Sequence, residues 1–147
     1  MSETASNDSN TFIRAFFDAV NTGQIDQIRP YLADDIVVHT PIPGFAPGRQ
    51  GFEAFMGLYY SAFAVQRIDV DQVISQGDRV AVLHTHHLTH GDEFARIAPT
   101  GKTVFIEGLE LYRISGGQIA EMWHHDDLLS LLQQLAPERL AAPSPPS

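Results

Sequence analysis

Apolar residues recur at helical spacing three times in the first half of the chain. Phe12, Ile13, Phe16, Phe17 and Val20 share one face, with polar Asn7 to Asn10 ahead of them and Asn21-Thr22-Gly23 to stop the helix. Ile25, Ile28 and Leu32 mark a second, shorter helix over residues 25–32. Phe52, Phe55, Met56, Tyr59 and Phe63 repeat over three turns of a third. Between the last two, Ile36 to His39 is β-rich and is ended by Pro41, Pro43 and Gly44; the loop to Gly51 is rich in Pro and Gly.

From residue 67 the period changes to two. Strands are expected over residues 67–74, 79–90, 103–115 and 118–126, with turns at Gln76-Gly77-Asp78 and Ser115-Gly116-Gly117. A last apolar helix begins at Asp127 or Leu128 and runs to Leu135. Helices followed by an antiparallel meander make an α+β pattern. A long twisted sheet with helices on one side curls, and the curl leaves a pocket between the layers.

Composition adds limits. The chain has 147 residues, of which 44% are hydrophobic and nine are Phe, enough for one core. One domain over residues 10–136 is expected, between a disordered N-terminus (1–9) and a Pro/Ser-rich tail (137–147). A net charge of −9 argues against a nucleic-acid or anionic-membrane partner. The absence of cysteine excludes disulfides, thiolate nucleophiles and Cys-ligated zinc. No apolar run approaches the roughly 20 residues of a membrane span, and the polar start does not read as a signal peptide. A cytoplasmic location is therefore expected.

Histidine is the strongest chemical signal, with four of the seven in one strand segment. Alternation puts His84, His86 and His90 on one face with Val80, Val82 and Leu88, and His87 on the other. Three imidazoles on a face admit a metal, but no helix-spaced zinc motif accompanies them, so no metal is expected. Neutral pocket histidines acting as acid, base or polar anchor fit better. Glu121 to Asp127 forms a second cluster, in which extended geometry sets Trp123, His125 and Asp127 on one face and His124 and Asp126 on the other. Asp127 is either a partly desolvated acid or base, or the cap of the last helix; for Asp126 a cap is favoured. Glu107 and Glu110 face opposite ways in an apolar strand, so one needs a partner such as Arg113 or Arg96. His39 falls at a pocket rim, and Phe55 and Tyr59 are placed to wall the pocket. Phosphate loops, nucleotide fingerprints and nucleophile elbows are absent from the sequence.

Several stretches together resemble the SnoaL-like polyketide cyclases: Asp34 to Pro41 with Pro43-Gly44 and Pro47-Gly48-Arg49, Gly77 to Val82, Pro99 to Lys102, Tyr112 to Trp123, and Leu131 to Leu135. The resemblance spans roughly residues 10–136. It implies a cone-shaped curved antiparallel sheet packed on three N-terminal helices, enclosing a pocket. It also implies cofactor-free acid–base catalysis, with the family's Trp and acidic residue falling on Trp123 and Asp127, and a homodimer.

The expected protein is thus a cofactor-independent acid–base enzyme acting on a small hydrophobic, polyketide-like carbonyl compound, by cyclisation or isomerisation. Asp127, His39, His86 and His124 are the catalytic candidates. Trp123, His84, His90, Phe55, Tyr59 and Glu110 are the substrate-binding ones. An epoxide hydrolase, a dehydratase and a non-catalytic binding domain are the alternatives.

Overall fold

The computed structural model describes residues 2–40 and 42–139. Four helices, α1 (Ser2–Val20), α2 (Ile25–Ile28), α3 (Arg49–Ala62) and α4 (Leu128–Leu135), accompany five strands, β1 (Leu32–Val38), β2 (Phe63–Gln76), β3 (Arg79–His90), β4 (Thr103–Ser115) and β5 (Gln118–Asp126). The strands form one sheet in the order β1-β5-β4-β3-β2. Neighbours are antiparallel except β1, which joins the far edge parallel to β5. The architecture is the expected α+β cone, with one parallel strand that a simple meander does not contain.

Alternation is clean where it positions the site. Along β3 the even-numbered residues from Val80 to His90 are buried and the odd ones are not. Ile13, Phe16 and Phe17 of α1 and Phe52, Phe55 and Tyr59 of α3 close over that face. These six are large apolar or aromatic side chains, each contributing on the order of 1.5–3 kcal/mol on burial.

Two boundaries differ from expectation for physical reasons. The second helix ends at Ile28 and tightens into a 3₁₀ turn, Arg29–Tyr31, with Pro30 in its first turn. A proline ring clashes with the carbonyl four residues back, so the α-helix stops and Leu32 becomes the first residue of β1. At the N-terminus, residues 2–9 were expected to be disordered but form the first turns of α1. Polar contacts hold them: Ser9 Oγ donates to the Gly77 carbonyl at 2.9 Å, the Gly77 N–H donates to Ser6 Oγ at 3.1 Å, and Asn10 pairs with Ser75. The Pro/Ser-rich end from Ala141 lies outside the described residues.

Those contacts give a measurable consequence. Deleting Met1 to Asp8 is expected to cost about 1 kcal/mol, since a net hydrogen bond contributes roughly 0.5–1.5 kcal/mol. Thermal melts would show a Tm lowered by a few degrees; an unchanged Tm would mean that the first turns of α1 add nothing.

Candidate active site

Three adjacent strands build the floor of the cone. Across β3, β4 and β5 the register aligns His84 with Gly108 and Gly108 with Asp126. The next inward row aligns Val82 with Glu110 and Glu110 with His124. Neighbouring strands lie about 4.8 Å apart, so His84 and Asp126 belong to backbones roughly 9–10 Å apart. They meet because the position between them has no side chain. A Cβ at Gly108 would overlap both the Asp126 carboxylate and the His84 ring.

The result is a compact cluster of two imidazoles and two carboxylates. His84 Nε2 lies 2.8 Å from Glu110 Oε1, a hydrogen bond, and 3.5 Å from Asp126 Oδ1. His124 Nε2 lies 3.3 Å from Asp126 Oδ2 and 3.6 Å from Glu110 Oε1. The side chains of His84 and Glu110 are each 2% exposed, that of Asp126 6% and that of His124 16%. Of Glu107 and Glu110, it is Glu110 that points inward, and its partner is His84 rather than an arginine; Arg113 binds Glu121 on the other face.

Burial pushes the Glu110 carboxyl up, against the hydrogen bond from His84. Burial pulls the His84 imidazole down, but the hydrogen bond and charge of Glu110, helped by Asp126, outweigh it and the net shift is upward. His86 stands beside this cluster. Its Nε2 lies 3.1 Å from Gln66 Oε1 and its ring stacks on Tyr59 at 5.7 Å. With burial dominant, its pKa falls to about 4, so the ring is neutral at physiological pH. Burial, then the Asp126 charge, pushes the Tyr59 phenol far up and keeps it a neutral donor.

Over this floor sits an apolar wall of Phe16, Phe17, Val20, Phe52, Phe55, Met56 and Ile68. The cavity they enclose is about 30 Å³, room for a water or two. Any larger occupant enters by displacing wall side chains. The hydroxyl of Tyr59, Nδ1 of His84, Nδ1 of His86 and Oδ1 of Asp126 have no hydrogen-bond partner among the described residues. Buried polar atoms without partners cost about 1–3 kcal/mol each and ask for a ligand or solvent.

The site brings together His84, His86, Glu110, His124, Phe55 and Tyr59. It leaves out four of the expected residues. Asp127 is exposed and caps α4, its carboxylate accepting the Ser130 N–H at 3.0 Å. Trp123 faces outward, stacked on His39 at 4.3 Å and lying under Arg79 at 5.5 Å. His39 is on that outer side too, with Nε2 2.9 Å from Glu121 Oε1. His90 points inward beyond the cavity, where Nδ1 accepts the Thr100 N–H at 3.1 Å and ties down the β3–β4 loop.

Two members were missed. Asp126 takes the place expected of Asp127, and Gly108 makes the cluster possible. An isolated glycine inside a strand pattern marks a close approach, and this was the available signal. The three strand histidines do not converge as a metal set, because His86 and His90 bond elsewhere. Donor atoms of His84, Glu110 and Asp126 do lie within 4.8 Å of one another, a spacing that could hold a cation.

Known proteins share this architecture. AclR of Streptomyces galilaeus superposes with a TM-score of 0.80 at 23% identity, covering 90% of this chain and 98% of that one. IdmH of Streptomyces antibioticus gives 0.76 at 27% identity, with 87% and 98% covered. A SnoaL-like polyketide cyclase of Agrobacterium tumefaciens gives 0.71 at 18%, with 86% and 97% covered. A search of curated proteins finds no match. No helix among the described residues is long and apolar enough to cross a membrane. The model of the SnoaL-like polyketide cyclases matches residues 10–135, nearly the whole of the cone. The chain belongs to the SnoaL-like polyketide cyclase family.

Proposed function

We propose that the protein is a cofactor-independent acid–base enzyme that closes a ring in a small hydrophobic, polyketide-like carbonyl compound by intramolecular aldol chemistry. The observation that carries this reading is Asp126: a carboxylate 6% exposed, with one oxygen unpartnered, at the floor of an aromatic-walled cavity. Such a group is a base aimed at whatever fills the space. The family match and IdmH, to which a polyketide cyclase activity has been ascribed, support the substrate class.

In this reading Asp126 takes a proton from the carbon alpha to a carbonyl. The electron pair moves onto the carbonyl oxygen, which accepts the Tyr59 hydroxyl hydrogen bond. The enolate carbon then attacks a second carbonyl of the same molecule, forming a C–C bond and an alkoxide, and Asp126 returns its proton to that alkoxide. His124, 3.3 Å from Asp126, orients the carboxylate. Neutral His86 supplies a polar contact beside Tyr59.

Mass balance separates this reading from its rivals. Incubated with an aromatic β-dicarbonyl polyketide ester, the enzyme is expected to give an isomer of unchanged mass and shorter conjugation. A gain of one water would identify a hydrolase and a loss of one water a dehydratase. Recovery of an unaltered, tightly held ligand would indicate a binding domain and overturn the proposal.

Tyr59→Phe isolates the oxyanion contact. It keeps a ring packed among Phe55, Phe63, Phe94 and His86 and removes only an unpartnered hydroxyl. Turnover should fall on the order of 10²-fold, with Tm unchanged or slightly raised. A fall in Tm without a kinetic effect would give the hydroxyl a structural role instead.

A further inference from the structure

Three donor groups of the cavity floor, His84, Glu110 and Asp126, place their ligand atoms within 4.8 Å of one another. His84 Nε2 lies 2.8 Å from Glu110 Oε1 and 3.5 Å from Asp126 Oδ1. His124 Nε2 lies 3.3 Å from the other Asp126 oxygen, Oδ2, and flanks the set without joining it. Imidazole nitrogen and carboxylate oxygen bind transition metals at about 2.0–2.2 Å. Neighbouring ligand atoms around such an ion are therefore separated by about 2.8–3.1 Å at a right angle and about 3.3–3.6 Å at the tetrahedral angle. Both separations from His84 Nε2 fall in that window.

We propose that His84, Glu110 and Asp126 form a three-ligand binding site for one divalent transition-metal ion. Charge fits: metal binding takes histidine as the neutral ring and Asp and Glu as carboxylates, so the two carboxylates set two negative charges against a divalent ion. Burial fits, because His84, Glu110 and Asp126 are all more than nine-tenths shielded from solvent. An independent sign of a missing ligand is Asp126 Oδ1, which is buried and without a hydrogen-bond partner among the described residues. The bare backbone at Gly108 is what lets the donors from the two flanking strands close on one another.

The mixed nitrogen and oxygen donors select ions such as Zn²⁺ or Co²⁺ over Mg²⁺ or Ca²⁺. The geometry stands independently of the catalytic reading above. One consequence rests on that reading: an ion held by these donors engages the Asp126 oxygen that would take the substrate's proton, so metal occupancy opposes turnover.

Co²⁺ is the probe, because it reports its coordination by visible absorption. Protein purified without an affinity tag and stripped with a chelator is expected to bind one Co²⁺ per chain. Intense d–d bands of a four- or five-coordinate ion should appear, Tm should rise, and Zn²⁺ should abolish the bands. Glu110→Gln should weaken binding at least about 10-fold. Because Glu110 is buried and its variant could misfold, the nearly isosteric Asp126→Asn gives a second test of the same loss. His87→Asn, on the outer face, should bind as the wild type does. Absence of bands and of any Tm shift at millimolar Co²⁺ would overturn the proposal, as would binding that survives both substitutions. Either result is read without substrate and leaves the aldol reading to its own test.

Discussion

Asp126→Asn should lower turnover by about 10³-fold or more while the protein still folds, whereas Asp127→Ala should keep turnover within a few-fold and lose stability instead. A positioned general base contributes roughly 10²–10⁴ in rate, and the amide cannot take a proton from carbon. The substitution is nearly isosteric and keeps an oxygen near His124, so Tm should move little. Asp127 does a different job at the neighbouring position. It caps α4 through the Ser130 N–H, and replacing such a cap by alanine costs about 0.5–2 kcal/mol. Kinetics and thermal melts on the two variants form a crossed pair. If Asp127→Ala were the inactive one, the family's acidic position would be chemical after all, and Asp126 would be a bystander.

Gly108→Ala is expected to be the most damaging conservative change in the sheet. Replacing glycine by alanine within regular structure ordinarily stabilises, by about 0.5–1 kcal/mol. At position 108 the sign reverses, because the new methyl occupies the space where His84 and Asp126 meet. Those groups must splay, breaking the His84–Glu110 hydrogen bond or the approach of Asp126, and overpacking of this kind costs about 1–3 kcal/mol. Turnover should fall with it, although glycine has no chemical group to lose. Gly57→Ala is the control: it lies within α3 with open space at the Cβ position and should stabilise by up to about 1 kcal/mol. Equal, favourable shifts in both variants would show that Gly108 is not needed for the cluster.

Much of this arrangement is legible in the sequence. The apolar stripes of α1 and α3, the two hairpins and the inward face of β3 follow from periodicity, and with them the aromatic wall and the placement of His84 and His86. The inversion of Asp126 and Asp127 has a specific physical cause. Arg113 pairs with Glu121, but the next residue, Ile114, pairs with Ile119, leaving Ala120 as an extra residue in β5. That bulge flips the alternation. Ile119 and Met122 both point inward, so Trp123 faces solvent and His124 and Asp126 face the cavity. Counting by twos from Ile119 gives the opposite answer, and nothing in the local composition announces the extra residue.

Other features were hidden because they depend on distant partners. Glu110 looked like half of an ion pair with an arginine, yet its partner is His84, across a strand register that only the folded sheet defines. The N-terminal turns of α1 carry no apolar stripe before Phe12 and are held by polar contacts to the β2–β3 hairpin. The second helix, expected to run to residue 32, is cut short at Pro30, an effect that proline geometry alone accounts for.

The central claim is that Asp126 moves a proton alpha to a carbonyl within the cavity. Its most direct test is incubation of the wild-type enzyme with a β-dicarbonyl polyketide ester in D₂O, followed by mass spectrometry of the recovered substrate and product. The account predicts enzyme-dependent entry of deuterium at the α-carbon, abolished in Asp126→Asn and retained in Asp127→Ala. Deuterium entry undiminished in Asp126→Asn would contradict it.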